Sequence, residues 1–218
     1  MKIAILGGTF NPVHIGHLAL ADDVCKSLGY DTVLFVPAFM PPHKMLSSAD
    51  NAEHRVNMLK TAFKNDSRFI VETCEIERGG VSYTIDTVNE LMQKYMDTLE
   101  GKFGLVMGQE NAAEFHKWKE ADRIAELTDI IIARRQKVFD LDTDGFENKP
   151  VGNYHGDFKD ENYTDVFSTF KYKFTPLKNH ILPLSSTEIR LRAAKNYGYR
   201  YLVPEGVFEY ILEHKLYE

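Results

Sequence analysis

An α/β fold, a doubly wound and mostly parallel sheet with helices on both faces, is predicted by three features of the sequence. Apolar runs of strand length recur at residues 3–6, 33–36, 68–71, 103–107 and 130–133. The stretches between them carry apolar residues at helical spacing. The first run stops at Gly7-Gly8, passes through Thr9-Phe10-Asn11-Pro12 and becomes helical from Leu18. Strands that alternate with helices form parallel sheets covered on both faces, and ligands bind beyond the carboxyl ends of such strands.

The elements follow in order. Ile3 and Ile5 supply β-branched strand residues. Leu20, Val24 and Leu28 recur at intervals of four, and Gly29 suits a left-handed helix cap. The strand at 33–36 leads into a loop stiffened by Pro37, Pro41 and Pro42. A helix over 49–63 precedes the strand at 68–71. Gly79-Gly80 marks a turn, and Thr84 reads as the cap of a helix over 85–96. The strand at 103–107 leads to one or two helices within 112–127, then to the strand at 130–133. Residues 140–163 are rich in Asp, Asn, Gly and Lys without a period, and read as a surface loop or insertion. Strand-like content returns at 171–182. Helices follow at 186–194 and 205–214, with Pro204 suited to a first turn. The chain is expected to form a single domain over 1–218, with an excursion at about 137–178.

Composition narrows the class. At 218 residues the chain can bury a full core, and 44% hydrophobic with 27% charged residues is ordinary for a globular protein. No apolar run approaches the roughly 20 residues of a membrane helix. No leader is expected, because the first residues already read as a strand. Cys25 and Cys74 lack pairing context, as expected of reduced cytoplasmic thiols. The net charge of −6 argues against a nonspecific nucleic-acid binder, so any anionic ligand must be held by local positive charge. Neither a nucleic acid nor a membrane partner is expected, and a homo-oligomer is left open.

The glycine turn carries the first chemistry. Glycines let backbone N–H groups approach a phosphate, and a helix start adds positive potential. His14 and His17 lie in the same turn. Their spacing does not match a zinc motif, and neither cysteine has a companion at ligand spacing, so no metal ligands are expected. Near the other end, Ser185-Ser186-Thr187-Glu188 fits an N-cap and capping box. The same helix start could hold phosphates, with Arg190 in reach.

The segment Gly7-Gly8-Thr9-Phe10-Asn11-Pro12-Val13-His14-Ile15-Gly16-His17 resembles the signature of the HxGH-motif nucleotidyltransferases. The rest of the chain is similar to their bacterial nicotinate-nucleotide adenylyltransferase branch, except at about 137–178. The resemblance implies transfer of AMP from ATP to nicotinate mononucleotide, giving deamido-NAD and pyrophosphate in NAD biosynthesis. His14, His17 and Arg190 would be catalytic. Gly8, Thr9, Phe10, His14, His17, Gly108, Glu110, Ser186, Thr187 and Arg190 would meet ATP, which arrives with Mg²⁺. Lys44, after Pro41-Pro42-His43, would hold the phosphate of nicotinate mononucleotide. Ser82, Tyr83 and Thr84 would receive its carboxylate, and Trp118 would stack on its pyridine. The sequence departs from the family pattern at Asn11 and Glu110, where relatives carry Asp, and at Arg134-Arg135-Gln136, where Arg-Pro-Gly is common. Another acceptor, nicotinamide mononucleotide or phosphopantetheine, is one alternative. A non-catalytic nucleotide-binding regulator is the other.

Overall fold

The computed structural model describes residues 1–41, 51–134 and 168–218. Lys44 and residues 137–167 of the expected excursion lie outside them.

Six described strands form one sheet: β1 (Ile3–Gly8), β2 (Thr32–Pro37), β3 (Phe69–Val71), β4 (Phe103–Gly108), β5 (Thr128–Ala133) and β6 (Phe174–Leu177). Their order is β3-β2-β1-β4-β5-β6, and each neighbouring pair is parallel. The described sheet is therefore wholly parallel. The order reverses between β1 and β4, which opens a crevice at their carboxyl ends.

Strand alternation divides the core into two layers. Ala4, Leu6, Val33 and Phe35 face one layer, and Ile3, Ile5, Leu34 and Val36 face the other, because successive side chains point to opposite faces. Helices α1 (Ile15–Leu28), α2 (Ala52–Ala62), α7 (Ser186–Ala194) and α8 (Glu205–Glu213) contribute to the first layer. Helices α3 (Cys74–Arg78), α4 (Thr84–Lys94), α5 (Gln109–Glu114) and α6 (Ala121–Leu127) contribute to the second.

The first five expected strands appear within about two residues of their bounds, the strand-like stretch at 171–182 contracts to β6 (Phe174–Leu177), and the differences elsewhere have local causes. Helix α1 begins at Ile15 rather than Leu18, because its first turn, Ile15-Gly16-His17, carries no apolar period. Gly29 closes it at φ 70° as expected. Thr84 is not the cap of α4: it is the first helical residue, and the extended Tyr83 is the N-cap. The stretch after Gly108 is divided by a 3₁₀ turn at Phe115–Lys117 and by Glu120 in the left-handed region at φ 55°, so α5 and α6 are separate.

Candidate active site

The signature loop leaves β1 at the crevice. Its first feature is a close approach. A Cβ added at Gly8 would lie 2.9 Å from the Phe10 ring, so only glycine lets that ring fold back beneath the strand end. Phe10 is buried, adopts φ 51° and packs edge-on to His17 with centroids 5.1 Å apart.

Distant side chains grip the loop's carbonyl groups. The Arg55 guanidinium of α2 donates to Thr9 O at 2.9 Å, Arg190 of α7 to Asn11 O at 2.7 Å, and the Ser186 hydroxyl to Pro12 O at 2.9 Å. The Tyr217 hydroxyl donates to Asn11 Oδ1 at 2.5 Å. Asn11 is itself buried, so at this departure from the usual Asp the side chain serves the loop's own structure.

The two histidines open α1. His14 is the extended N-cap, and its ring stacks on His17 with centroids 3.7 Å apart at 29°. The His14 N–H donates to His17 Nδ1 at 3.3 Å. That bond requires Nδ1 to be unprotonated, so the neutral His17 ring carries its proton on Nε2 and presents a donor there. A Cβ at Gly16 would sit 3.1 Å from both Nδ1 and Cε1 of His14. The glycine of His-x-Gly-His is thus the floor against which His14 packs.

The start of α7 adjoins the loop. Ser185 caps it by accepting the Glu188 N–H at 3.1 Å. Glu188 turns to Arg192 at 2.8 Å. Thr187 is exposed and accepts from Arg190 at 3.3 Å. Ser186 and Arg190 therefore reach the signature loop directly, across 174 and 179 residues of sequence.

The remaining predicted residues gather on the other side of the crevice. Ala38 N–H donates to Gly8 O at 2.9 Å, which ties the loop after β2 to the end of β1. That loop meets the turn before α4 through a parallel bridge between Met40 and Val81. Lys119 lies 4.7 Å over the Tyr83 ring and 3.3 Å from Asp86, so the segment holding Trp118 lies beside the start of α4. Trp118 is half-buried, with its ring centroid 5.2 Å from that of Phe115. Gly108 is the N-cap of α5, and Glu110 is exposed in its first turn. Burial pushes the Cys74 thiol up to about 12 and also raises that of Cys25, so both remain protonated at neutral pH.

Arg55 was not among the residues the sequence singled out. Its signal is a charge on the apolar stripe of α2, in line with Met58 and Leu59, and it is 1% exposed.

Comparison with known proteins places the chain. Residues 5–192 match the cytidylyltransferase-like family. A Treponema pallidum protein named "Probable nicotinate-nucleotide adenylyltransferase" is 39% identical over 217 residues, covering 100% of this chain and 99% of its own length. A Lactococcus lactis protein of the same name is 34% identical, with 100% and 95% covered. The Plasmodium falciparum nicotinic acid mononucleotide adenylyltransferase, solved in complex with NaAD, superposes at a TM-score of 0.69 with 18% identity, covering 99% of this chain and 97% of that one, a likeness of fold. With its loop, histidines and helix starts so arranged, the chain belongs to the cytidylyltransferase-like family and, within it, to the nicotinate-nucleotide adenylyltransferases.

Proposed function

We propose that this chain transfers AMP from ATP to nicotinate mononucleotide. The acceptor's phosphate oxygen attacks the α-phosphorus in line. A new P–O bond forms, the bond to the β-phosphate oxygen breaks, and its electron pair leaves with pyrophosphate. Nucleophile and leaving group are both already anionic, so no covalent enzyme intermediate is needed. Catalysis consists of alignment and charge neutralisation.

The observation that carries this reading is the His17 ring, oriented by the His14 N–H so that Nε2–H can donate to a phosphate oxygen. His17 would stabilise charge developing at the α-phosphate, with His14 beside it. Gly8, Thr9 and Phe10 would meet ATP through backbone, since the Phe10 ring is buried. Ser186, Thr187 and Arg190 would frame the β- and γ-phosphates from the start of α7, and Gly108 and Glu110 would lie along the nucleoside. Mg²⁺ would arrive on ATP, held by phosphate oxygens and water. Among the described residues no three His, Cys, Asp or Glu side chains converge to form a cage.

For the acceptor, the Tyr83 and Thr84 amides at the start of α4 would receive the nicotinate carboxylate, Trp118 would stack on its ring, and Lys44 would hold its phosphate. Ser82 would contribute by shaping the turn. The whole chain is read as one nucleotidyltransferase domain with an excursion at about 137–178, working in the cytoplasm. Among the described residues no helix is long and apolar enough to cross a membrane.

The test is pyrophosphate release from ATP and Mg²⁺ with nicotinate mononucleotide, nicotinamide mononucleotide or phosphopantetheine. A carboxamide would turn its NH₂ toward N–H donors, at a cost of roughly 1–3 kcal/mol per unpaired group. A preference for nicotinate of about 10- to 100-fold in kcat/KM is expected. Equal values for the two pyridines would remove the carboxylate pocket. Release with none of the three would leave a regulator.

A further inference from the structure

The segment after α8 turns back to the signature loop through two residues of strained backbone. Lys215 lies at φ 49° and Tyr217 at φ 71°, a region that is costly for any residue with a Cβ. The helix end accounts for the first. Lys215 N–H donates to Leu212 O at 3.2 Å and Leu216 N–H to Ile211 O at 3.0 Å. These are the paired bonds of a Schellman motif, whose left-handed position is usually glycine. Tyr217 falls beyond that motif, so the helix end does not require its conformation. Strain of this kind persists where surrounding contacts over-determine it, and the contacts of Tyr217 lead to the site.

Its ring packs against the core layer that holds Phe10 and Val13. Its hydroxyl donates to Asn11 Oδ1 at 2.5 Å and lies 4.0 Å from Met58 Sδ of α2. Asn11 is 3% exposed, and an amide oxygen at that depth needs a donor. Arg190 holds the backbone oxygen of the same residue at 2.7 Å. Asn11 is thus gripped at both of its carbonyl groups, from two separate elements. One residue earlier, Phe10 is itself left-handed at φ 51° and sets its ring edge-on to His17 with centroids 5.1 Å apart. A rotation of Asn11 would therefore pass through Phe10 to His17.

We infer that Tyr217 is a positioning residue for adenylyl transfer. Its hydroxyl fixes Asn11, and through Asn11 the loop that sets His17 against the α-phosphate. Tyr217 touches neither substrate, so its effect should fall on the rate of transfer rather than on binding of the acceptor. This role rests on the proposed reaction and on the proposed part of His17 in it.

Tyr217→Phe keeps the ring and removes only the hydroxyl. Loss of one neutral hydrogen bond corresponds to a factor of about two to ten. The single-turnover rate, with enzyme in excess over nicotinate mononucleotide at saturating ATP and Mg²⁺, should fall about fivefold, and the calorimetric Kd for nicotinate mononucleotide should stay within about twofold of wild type. In an Asn11→Ala background the same change should alter that rate by less than about twofold, because its target is gone. A purely structural role would lower the melting temperature and leave the rate of the folded enzyme in place. A single-turnover rate within twofold of wild type, a weakened acceptor Kd in its place, or an equal loss with and without Asn11 would overturn the inference. If Asn11→Ala does not fold, Tyr217→Phe decides alone by rate and Kd. A wild-type chain that does not transfer AMP to nicotinate mononucleotide would overturn the underlying reading. An active wild type with an unchanged Tyr217→Phe variant would overturn only the role of Tyr217.

Discussion

Replacing Gly16 with Ala should separate catalysis from stability. The added methyl would sit 3.1 Å from two atoms of the His14 imidazole, where ordinary contact begins near 3.4 Å. The ring must therefore retreat by a few tenths of an ångström. It is 6% exposed, and it stacks on the His17 ring with centroids 3.7 Å apart, so displacement passes to His17. The bond from His14 N–H to His17 Nδ1 is already long at 3.3 Å and has little slack.

Two terms act on stability with opposite sign. Overpacking costs about 1–3 kcal/mol, while Ala in place of Gly in a helix gains up to about 1 kcal/mol. The net loss therefore lies between about zero and 3 kcal/mol. Catalysis has no such compensation. A misplacement of about 1 Å can cost on the order of 10² in rate, so a few tenths should lower kcat on the order of tenfold. Pyrophosphate release at saturating ATP and nicotinate mononucleotide, paired with thermal unfolding, measures both. Wild-type kcat in a folded Gly16→Ala protein would refute the idea that His14 packing sets the position of His17.

His17→Ala should remove turnover by on the order of 10² to 10³, the loss typical of one donor to a developing charge, while the protein stays folded; near-normal turnover would end that assignment. Arg190→Ala should weaken ATP binding and also lower kcat, because the guanidinium donates to Asn11 O and its removal frees the loop. Loss of a charged hydrogen bond of about 1.5–3 kcal/mol predicts roughly a 10- to 150-fold effect, and an unchanged ATP titration would make the residue purely structural. Asp66 carries a pH prediction. Hydrogen bonds from Arg68 hold its carboxyl below the ordinary 3.8, so the contribution is present above that pH and is lost as pH falls through the lower folded-state value. Asp66→Asn should cost a few tenths to about 1 kcal/mol at pH 7 and less near pH 3 in urea unfolding. An equal cost at both would show that the ion pair is not its source.

Much of the fold was legible because it is written in short-range patterns. Strand runs in a parallel sheet are continuously apolar, and Gly29 ends a helix by its own conformational freedom. What escaped depends on contacts between distant segments. Ser186 and Arg190 were read as phosphate ligands from the helix start they occupy. That the same groups grip Pro12 O and Asn11 O could not be read locally, because the partners lie at the other end of the chain. Arg55 drew no reading from the sequence, because only the sheet defines which side of α2 is buried. Thr84 was taken for a cap by residue type, yet the chain turns one residue earlier, because the bridge between Met40 and Val81 fixes the approach to α4.

In the proposed reaction, the grip on the carbonyls would prepare a short loop to act on phosphates without help from a covalent step. A trans peptide carries its C=O and N–H on opposite sides. Holding Thr9 O by Arg55 and Pro12 O by Ser186 therefore turns the N–H groups of Phe10 and Val13 away from those donors. Pro12 has no N–H to offer, and Arg190 holds the carbonyl that precedes it. His17 is oriented by a bond from the same turn. With the carbonyls held by these bonds, little of the cost of reorganising the dipoles would fall on the proposed reaction, the condition under which fixed donors lower a barrier most. The residues that secure this, Arg55, Ser186, Arg190 and Tyr217, come from three regions of the chain that meet only once the sheet has formed.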